Sequence, residues 1–242
     1  MNIIITMAGL GTRFRRAGYK MPKYRIEARG KTLFEWSMDS LLGYNEQVSK
    51  YVFVVRREDQ AADFIREQCL KYGIQQTEVM EIDHMTDGQA TTCMLAIPRC
   101  NPKEPVMIYN IDTYVEPYEL KYEDISGDGH IPCFHAEGDH WSFARLDAEG
   151  KVAEVREKVR ISDNCTLGAY YFSSAELYQR LYEEYYADGS HMEKNEKYIA
   201  PLYNYMIEKG LSVTISLVDE KKVHVLGTPE ELQEFLDEAK RN

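Results

Sequence analysis

The chain has 242 residues, 44% hydrophobic and 29% charged, enough apolar material for a sizeable core and too much for a largely disordered chain. Its longest apolar runs, at 3–5 and 52–55, fall far short of the roughly 18 residues of a membrane span. A formal net charge of −11 argues against a nucleic-acid binder, yet residues 11–31 carry eight basic side chains against Glu27 alone, leaving +7 there and −18 elsewhere. A cationic loop on an acidic protein suits a small polyanion such as a nucleotide, although a solvated basic loop gives the same count.

Residues 2–6 form an apolar run that reads as a buried strand entering the glycine turn 7–13. Near-helical apolar spacing predicts a helix over 32–43, stopped by Gly43. A strand at 51–55, a helix at 58–72, a strand at 77–82, a helix at 88–97 and a strand at 106–111 continue the alternation. Such alternation implies right-handed crossovers and a mainly parallel sheet flanked by helices, an α/β, Rossmann-like fold. The second half is richer in β-structure. Segments 141–146 and 151–155 around Asp147-Ala148-Glu149-Gly150 predict a β-hairpin, followed by a strand at 167–172. Helices are expected at 175–186 and 196–209, with a strand at 211–218. Thr228-Pro229-Glu230-Glu231 reads as a capping box opening a terminal helix. With no long linker and no repeat, the expectation is one domain over 1–242, a sheet core to about 115 and an elaboration over 116–242.

The five cysteines are odd in number and contain no C-x-x-C pair, so neither a disulfide framework nor a zinc ribbon is indicated. Together with an N-terminus lacking a basic segment before an apolar stretch, this sets a cytoplasmic expectation. His130, His135 and His140 match no zinc signature.

Gly9 and Gly11 allow positive φ and close approach of a ligand to backbone N–H groups that cradle phosphate. Arg13 and Lys23 would supply charge to a triphosphate, one as a planar fork and one as a point charge. Two familiar phosphate loops fail, because G-x-x-x-x-G-K-[ST] is absent and Phe14 stands where G-x-G-x-x-G needs glycine. Alone, the turn is a plain βα connection.

The longer string is more specific. Ala8-Gly9-Leu10-Gly11-Thr12-Arg13-Phe14, then Pro22-Lys23, then Gly30-Lys31-Thr32-Leu33 resembles the signature of the sugar-nucleotide pyrophosphorylases, nucleoside-triphosphate transferases of the sugar-1-phosphate nucleotidylyltransferase type. Asp87-Gly88-Gln89-Ala90, Asn110-Ile111-Asp112, Glu157-Lys158, the strand Leu167-Gly168-Ala169-Tyr170-Tyr171-Phe172 and Gly227-Thr228-Pro229-Glu230 extend the resemblance over most of the chain.

The resemblance implies that Ala8, Gly9, Leu10, Gly11, Thr12, Arg13, Lys23, Gly88, Gln89 and Asn110 hold the nucleotide, and that Asp112 binds Mg2+. It implies that Glu157, Lys158, Gly168 and Tyr170 hold the acceptor, with Arg13, Lys23, Asp112 and Lys158 as the catalytic set. The implied reaction joins a nucleoside monophosphate from the triphosphate to a phosphorylated small molecule and releases pyrophosphate. A sugar 1-phosphate is the first acceptor and phosphocholine or another small phosphate the alternative, in the setting of surface-polysaccharide precursors. The expected partners are these two substrates, with no nucleic acid and no membrane, and homo-oligomerisation is left open. One departure stands out: Val225 occupies the place of the family's second metal-binding aspartate, with Asp219 and His224 nearby in sequence. Two other readings follow from the same residues, a GT-A-type glycosyltransferase using a nucleotide sugar and a non-catalytic nucleotide-binding module.

Overall fold

The computed structural model describes residues 1–238 apart from 190 and 194. The first half runs β1 (Asn2–Thr6), α1 (Thr12–Arg16), the short β2 (Glu27–Ala28) and β3 (Lys31–Thr32), α2 (Leu33–Asp39), β4 (Lys50–Arg56), α3 (Ala62–Lys71), β5 (Thr77–Ile82), α4 (Gln89–Ala96), β6 (Val106–Asn110) and β7 (Thr113–Val115). The second half runs β8 (Gly129–His135), β9 (Ser142–Leu146), β10 (Val152–Glu157), β11 (Asn164–Thr166), β12 (Ala169–Phe172), α5 (Ala175–Tyr185), α6 (Ala200–Glu208), β13 (Val213–Leu217), β14 (Val223–Val225) and α7 (Pro229–Glu238).

Among the described residues, ten strands share one sheet in the order β10-β9-β11-β8-β12-β6-β1-β4-β5, with β13 pairing β8 from off this path. The β6-β1-β4-β5 ladder is parallel, as the strand–helix alternation requires. β12 then pairs antiparallel with β6, so the elaboration continues the same sheet. The central strands are apolar throughout because both faces are covered. Ile4, Val52, Val54 and Ile108 pack on one side, with α4, α5 and α6. Ile3, Ile5, Phe53, Val55 and Tyr109 pack on the other, with α2 and α3.

Several elements differ in detail from the sequence expectation. The helix expected at 58–72 starts with a 3-10 turn at Arg57–Asp59 and becomes α-helical at Ala62. The hairpin forms as β9 and β10, closed by Asp147 N donating to Lys151 O at 2.8 Å. β8 went unforeseen because Pro132 lies inside it and proline argues against a central strand. The proline is tolerated where the neighbour of β8 passes from β12 to β11. The terminal capping box is only half made: Thr228 Oγ1 accepts from Glu231 N at 3.1 Å, while Glu231 Oε2 is buried with no hydrogen-bond partner. All five cysteines are free and buried, and no helix among the described residues is long and apolar enough to cross a membrane.

His130 lies on β8 with no solvent exposure, its Nδ1 2.8 Å from Thr214 Oγ1 and its Nε2 3.0 Å from Ser216 Oγ on β13. Burial lowers its pKa from 6.5 to about 4. The imidazole of an unfolded chain takes a proton near its ordinary value, so this residue's contribution is complete above pH 6.5 and is lost as pH falls toward 4. The loss should reach about 3 kcal/mol across that window. Urea denaturation at a series of pH values should show this decline in the wild type and a flatter profile in His130→Gln.

Candidate active site

The carboxyl ends of β1 and β6 lie side by side because the two strands are parallel and in register, Thr6 beside Asn110. Open α/β sheets offer their ligand sites along this edge. Here two cavities adjoin. The first, about 310 Å3, is lined by Ala8, Gly9 and Lys23 on one side and by Thr86 and Gly88 on the other. The second, about 320 Å3, is lined by Arg13, Trp141, Glu157, Lys158, Tyr170 and Tyr198 among others. Gln89, Asn110 and Asp112 line both, so they form the shared wall. Each volume falls within the ~300–1,000 Å3 range usual for small-molecule sites.

Lys23 projects from the 3-10 turn Lys23–Arg25 just after Pro22. Its Nζ lies 2.7 Å from Asp112 Oδ2, with the two side chains 21% and 32% exposed. Burial acts to raise the Asp112 pKa, but the Lys23 ammonium beside it and the Arg13 charge outweigh burial and hold the carboxyl below its ordinary value. Asp112 is therefore a carboxylate set between positive groups. Gln89 Nε2 donates to Thr6 Oγ1 at 3.0 Å and also to Asn110 Oδ1, tying α4 to β1 and β6.

The second cavity has its own cation. Lys158 follows β10 in a left-handed conformation, φ 55°, and its Nζ lies 3.0 Å from Glu157 Oε1. The same ammonium is 4.9 Å from the Tyr198 ring centroid and donates to Tyr198 Oη at 3.4 Å. Burial works to lower the Lys158 pKa, and the Glu157 and Tyr198 contacts outweigh it, leaving the pKa raised. Ser142 Oγ donates to the other Glu157 oxygen, which orients the carboxylate. Tyr170 is a buried wall residue, its hydroxyl 3.3 Å from Thr166 Oγ1.

Not every residue singled out from the sequence reaches the cavities. Gly11, at φ 59°, caps α1, and with Thr12 it lies just outside both linings. Leu10 is 41% exposed and borders a neighbouring hollow with Ile82 and Met85, the last of which also lines the first cavity. Arg13 lines the second cavity rather than the first. Gly168, at φ 75°, makes room for Asn110, whose Nδ2 lies 2.5 Å from where a Cβ would stand. Val225 pairs with Thr113 between β14 and β7 and lines the second cavity beside Gly227. Asp219 caps a 3-10 turn through Lys221 N, and His224 stacks on Tyr114 and pairs with Glu238, so neither takes the place of the missing aspartate. Trp141, Tyr198 and Glu231 line the second cavity but were not singled out: Trp141 read only as the start of the hairpin strand at 141–146, Tyr198 only as part of the helix expected at 196–209, and Glu231 only as part of the helix cap.

No group of three or more His, Cys, Asp or Glu suited to a metal occurs among the described residues. Two carboxylates do converge: Asp112 Oδ2 and Glu231 Oε2 lie 3.4 and 3.5 Å from the point a Gly227 Cβ would occupy.

Among solved structures the chain is similar to the nucleoside-diphosphate-sugar pyrophosphorylase from Vibrio cholerae RC9, at 37% identity over 98% of this chain and 100% of that one, with a TM-score of 0.89. It shares its fold with a glucose-1-phosphate thymidylyltransferase from Bacillus anthracis, described as putative, at 14% identity, coverage of 100% and 96% and TM-score 0.78. It also shares it with the CTP:phosphocholine cytidylyltransferase from Streptococcus pneumoniae, at 18% identity, 98% coverage of each chain and TM-score 0.73. No protein-family model and no curated protein matches the chain.

The glycines of the site differ in what they tolerate. A Cβ on Gly11 meets nothing within 4 Å, so Gly11→Ala should cost only the left-handed backbone, about 1–2 kcal/mol. A Cβ on Gly88, at φ 142°, would lie 2.3 Å from Lys197 O and 2.5 Å from Lys197 N. Gly88→Ala should therefore be the more destabilising of the two in urea denaturation, by at least about 1 kcal/mol.

Proposed function

Because the chain belongs to the nucleoside-diphosphate-sugar pyrophosphorylase family, we propose that it transfers a nucleoside monophosphate from a nucleoside triphosphate to a phosphorylated small molecule, releasing pyrophosphate. The observation that carries this reading is the pair of cavities sharing the Gln89–Asn110–Asp112 wall, each with a lysine at hand. The triphosphate occupies the cavity of Ala8, Gly9, Lys23 and Gly88, and the acceptor occupies that of Glu157, Lys158 and Tyr170.

An acceptor phosphate oxygen attacks the α-phosphorus, the bond to the β-phosphate oxygen breaks, and pyrophosphate departs with that oxygen. No protein nucleophile is needed, so the work of the chain is positioning and charge neutralisation. Lys158, steadied by Glu157 and Tyr198, holds the acceptor phosphate. Lys23 supplies positive charge on the triphosphate side of the shared wall and Arg13 on the acceptor side. Asp112, a carboxylate kept ionised between Lys23 and Arg13, is the residue to hold Mg2+. When bound, the ion neutralises phosphate charge and orients its oxygens. Acceptors of the sugar 1-phosphate class come first, supported by the name of the 37% identical relative, with phosphocholine as the alternative.

The test is Mg2+-dependent pyrophosphate release with CTP, UTP, dTTP and GTP, each against sugar 1-phosphates, phosphocholine and other small phosphates. Release with one triphosphate and one acceptor class is expected, and Lys23→Ala, Arg13→Ala and Lys158→Ala should each lower turnover by roughly 10²-fold. Near-normal turnover in all three would sink the assignment of charges. Glycosyl transfer from a preformed nucleotide sugar, without pyrophosphate release, would replace the reaction altogether.

A further inference from the structure

We infer that Glu231, from the terminal helix α7, supplies the second carboxylate of the metal site in place of the aspartate that Val225 has lost. The inference rests on the Mg2+-dependent reading above and names a ligand that the resemblance did not imply. Val225 has no oxygen to offer, and neither Asp219 nor His224 faces the cavity. Glu231 lines the same cavity as Asp112, and its Oε2 is shut away from solvent without a hydrogen-bond donor. A buried carboxylate oxygen with no donor and no cation is costly, and a divalent ion beside it would remove that cost.

Gly227 makes the meeting possible. With no side chain there, Asp112 Oδ2 and Glu231 Oε2 approach one point at 3.4 and 3.5 Å. The donor set, two carboxylates with phosphate oxygens and water to complete it, is the hard-oxygen chemistry Mg2+ takes. The helix itself is well anchored: Phe235 of α7 packs against Trp36 and Tyr114, with the Arg29 guanidinium 3.6 Å over its ring. Leu226 N donates to Asp112 O at 2.8 Å, so the strand leading into α7 is tied to the metal-bearing turn.

The experiment titrates Mn2+ alone, as the probe for a hard divalent ion, into the full chain and follows water-proton relaxation. One site is expected in the wild type. Glu231→Gln should weaken it by roughly tenfold or more, at least the loss seen on removing a ligand's supporting partner. Gly227→Ala should weaken it too, because the added methyl sits in ordinary contact with both oxygens and fills the space between them while leaving room to fold. Glu230→Gln, exposed one residue earlier, should leave it unchanged. Melting in EDTA separates a ligand from a capping residue. A purely structural Glu231 near the helix N-terminus would lose stability on neutralisation, whereas a carboxylate forced beside Asp112 gains it, so Glu231→Gln should melt no lower than wild type. Unchanged Mn2+ affinity in Glu231→Gln, or no Mn2+ site in the wild type, overturns the inference. So does unchanged Mn2+ affinity with a raised acceptor KM, which would put Glu231 against the acceptor. Pyrophosphate release that persists in such a case leaves the transferase reading standing. A Glu231-dependent Mn2+ site in a chain that releases no pyrophosphate would overturn the transferase reading instead.

Discussion

The Lys23 ammonium lies 2.7 Å from the Asp112 carboxylate, and through this contact the cationic loop is drawn onto the acidic carboxyl edge of the sheet. Its net stabilisation is modest, because both groups keep some contact with water. Its placement matters more. The later half of the loop is tied down throughout, with Lys31 2.6 Å from Asp39, Arg29 3.4 Å from Glu238, and Arg25 donating to Gln60 O at 2.8 Å. Arg13, Arg15, Arg16 and Lys20 make no ion pair with any described residue. The loop's charge thus divides into a portion that holds the loop and a portion left exposed, of which Arg13 lines the second cavity.

How much of this was legible in the sequence depends on whether the signal was local. Apolar runs at β1, β4 and β6 announced a sheet buried on both faces, and the structure seats them in parallel register. The glycine loop, Pro22-Lys23, Asn110-Ile111-Asp112 and Glu157-Lys158 were visible as a motif in order, and they converge on adjoining cavities. β8 was hidden because Pro132 and two histidines disguise a central strand, its register being settled by three neighbours far away in sequence. Glu231 was hidden for a different reason. Its position at the start of a helix has a sufficient local explanation, and only the docking of α7 leaves its Oε2 buried without a hydrogen-bond partner.

The same distinction explains the glycines. Gly88 and Gly168 both adopt positive φ, but what makes each irreplaceable is a neighbour brought close by tertiary packing, the Lys197 backbone in one case and the Asn110 side chain in the other. Gly11 needs only its own backbone freedom. Motif resemblance flags all three alike, and only the packed structure separates a turn former from a spacer.

The shared wall of Gln89, Asn110 and Asp112 divides the site along the chain as well as in space. Apart from Glu196, the lining of the first cavity comes from residues up to 112, whereas most of the second comes from residue 134 onward. Substitutions on the antiparallel strands can therefore reshape one compartment while the walls of the other stay intact. A chain built this way can change the lining of one compartment while that of the other persists, each half of the site drifting on its own.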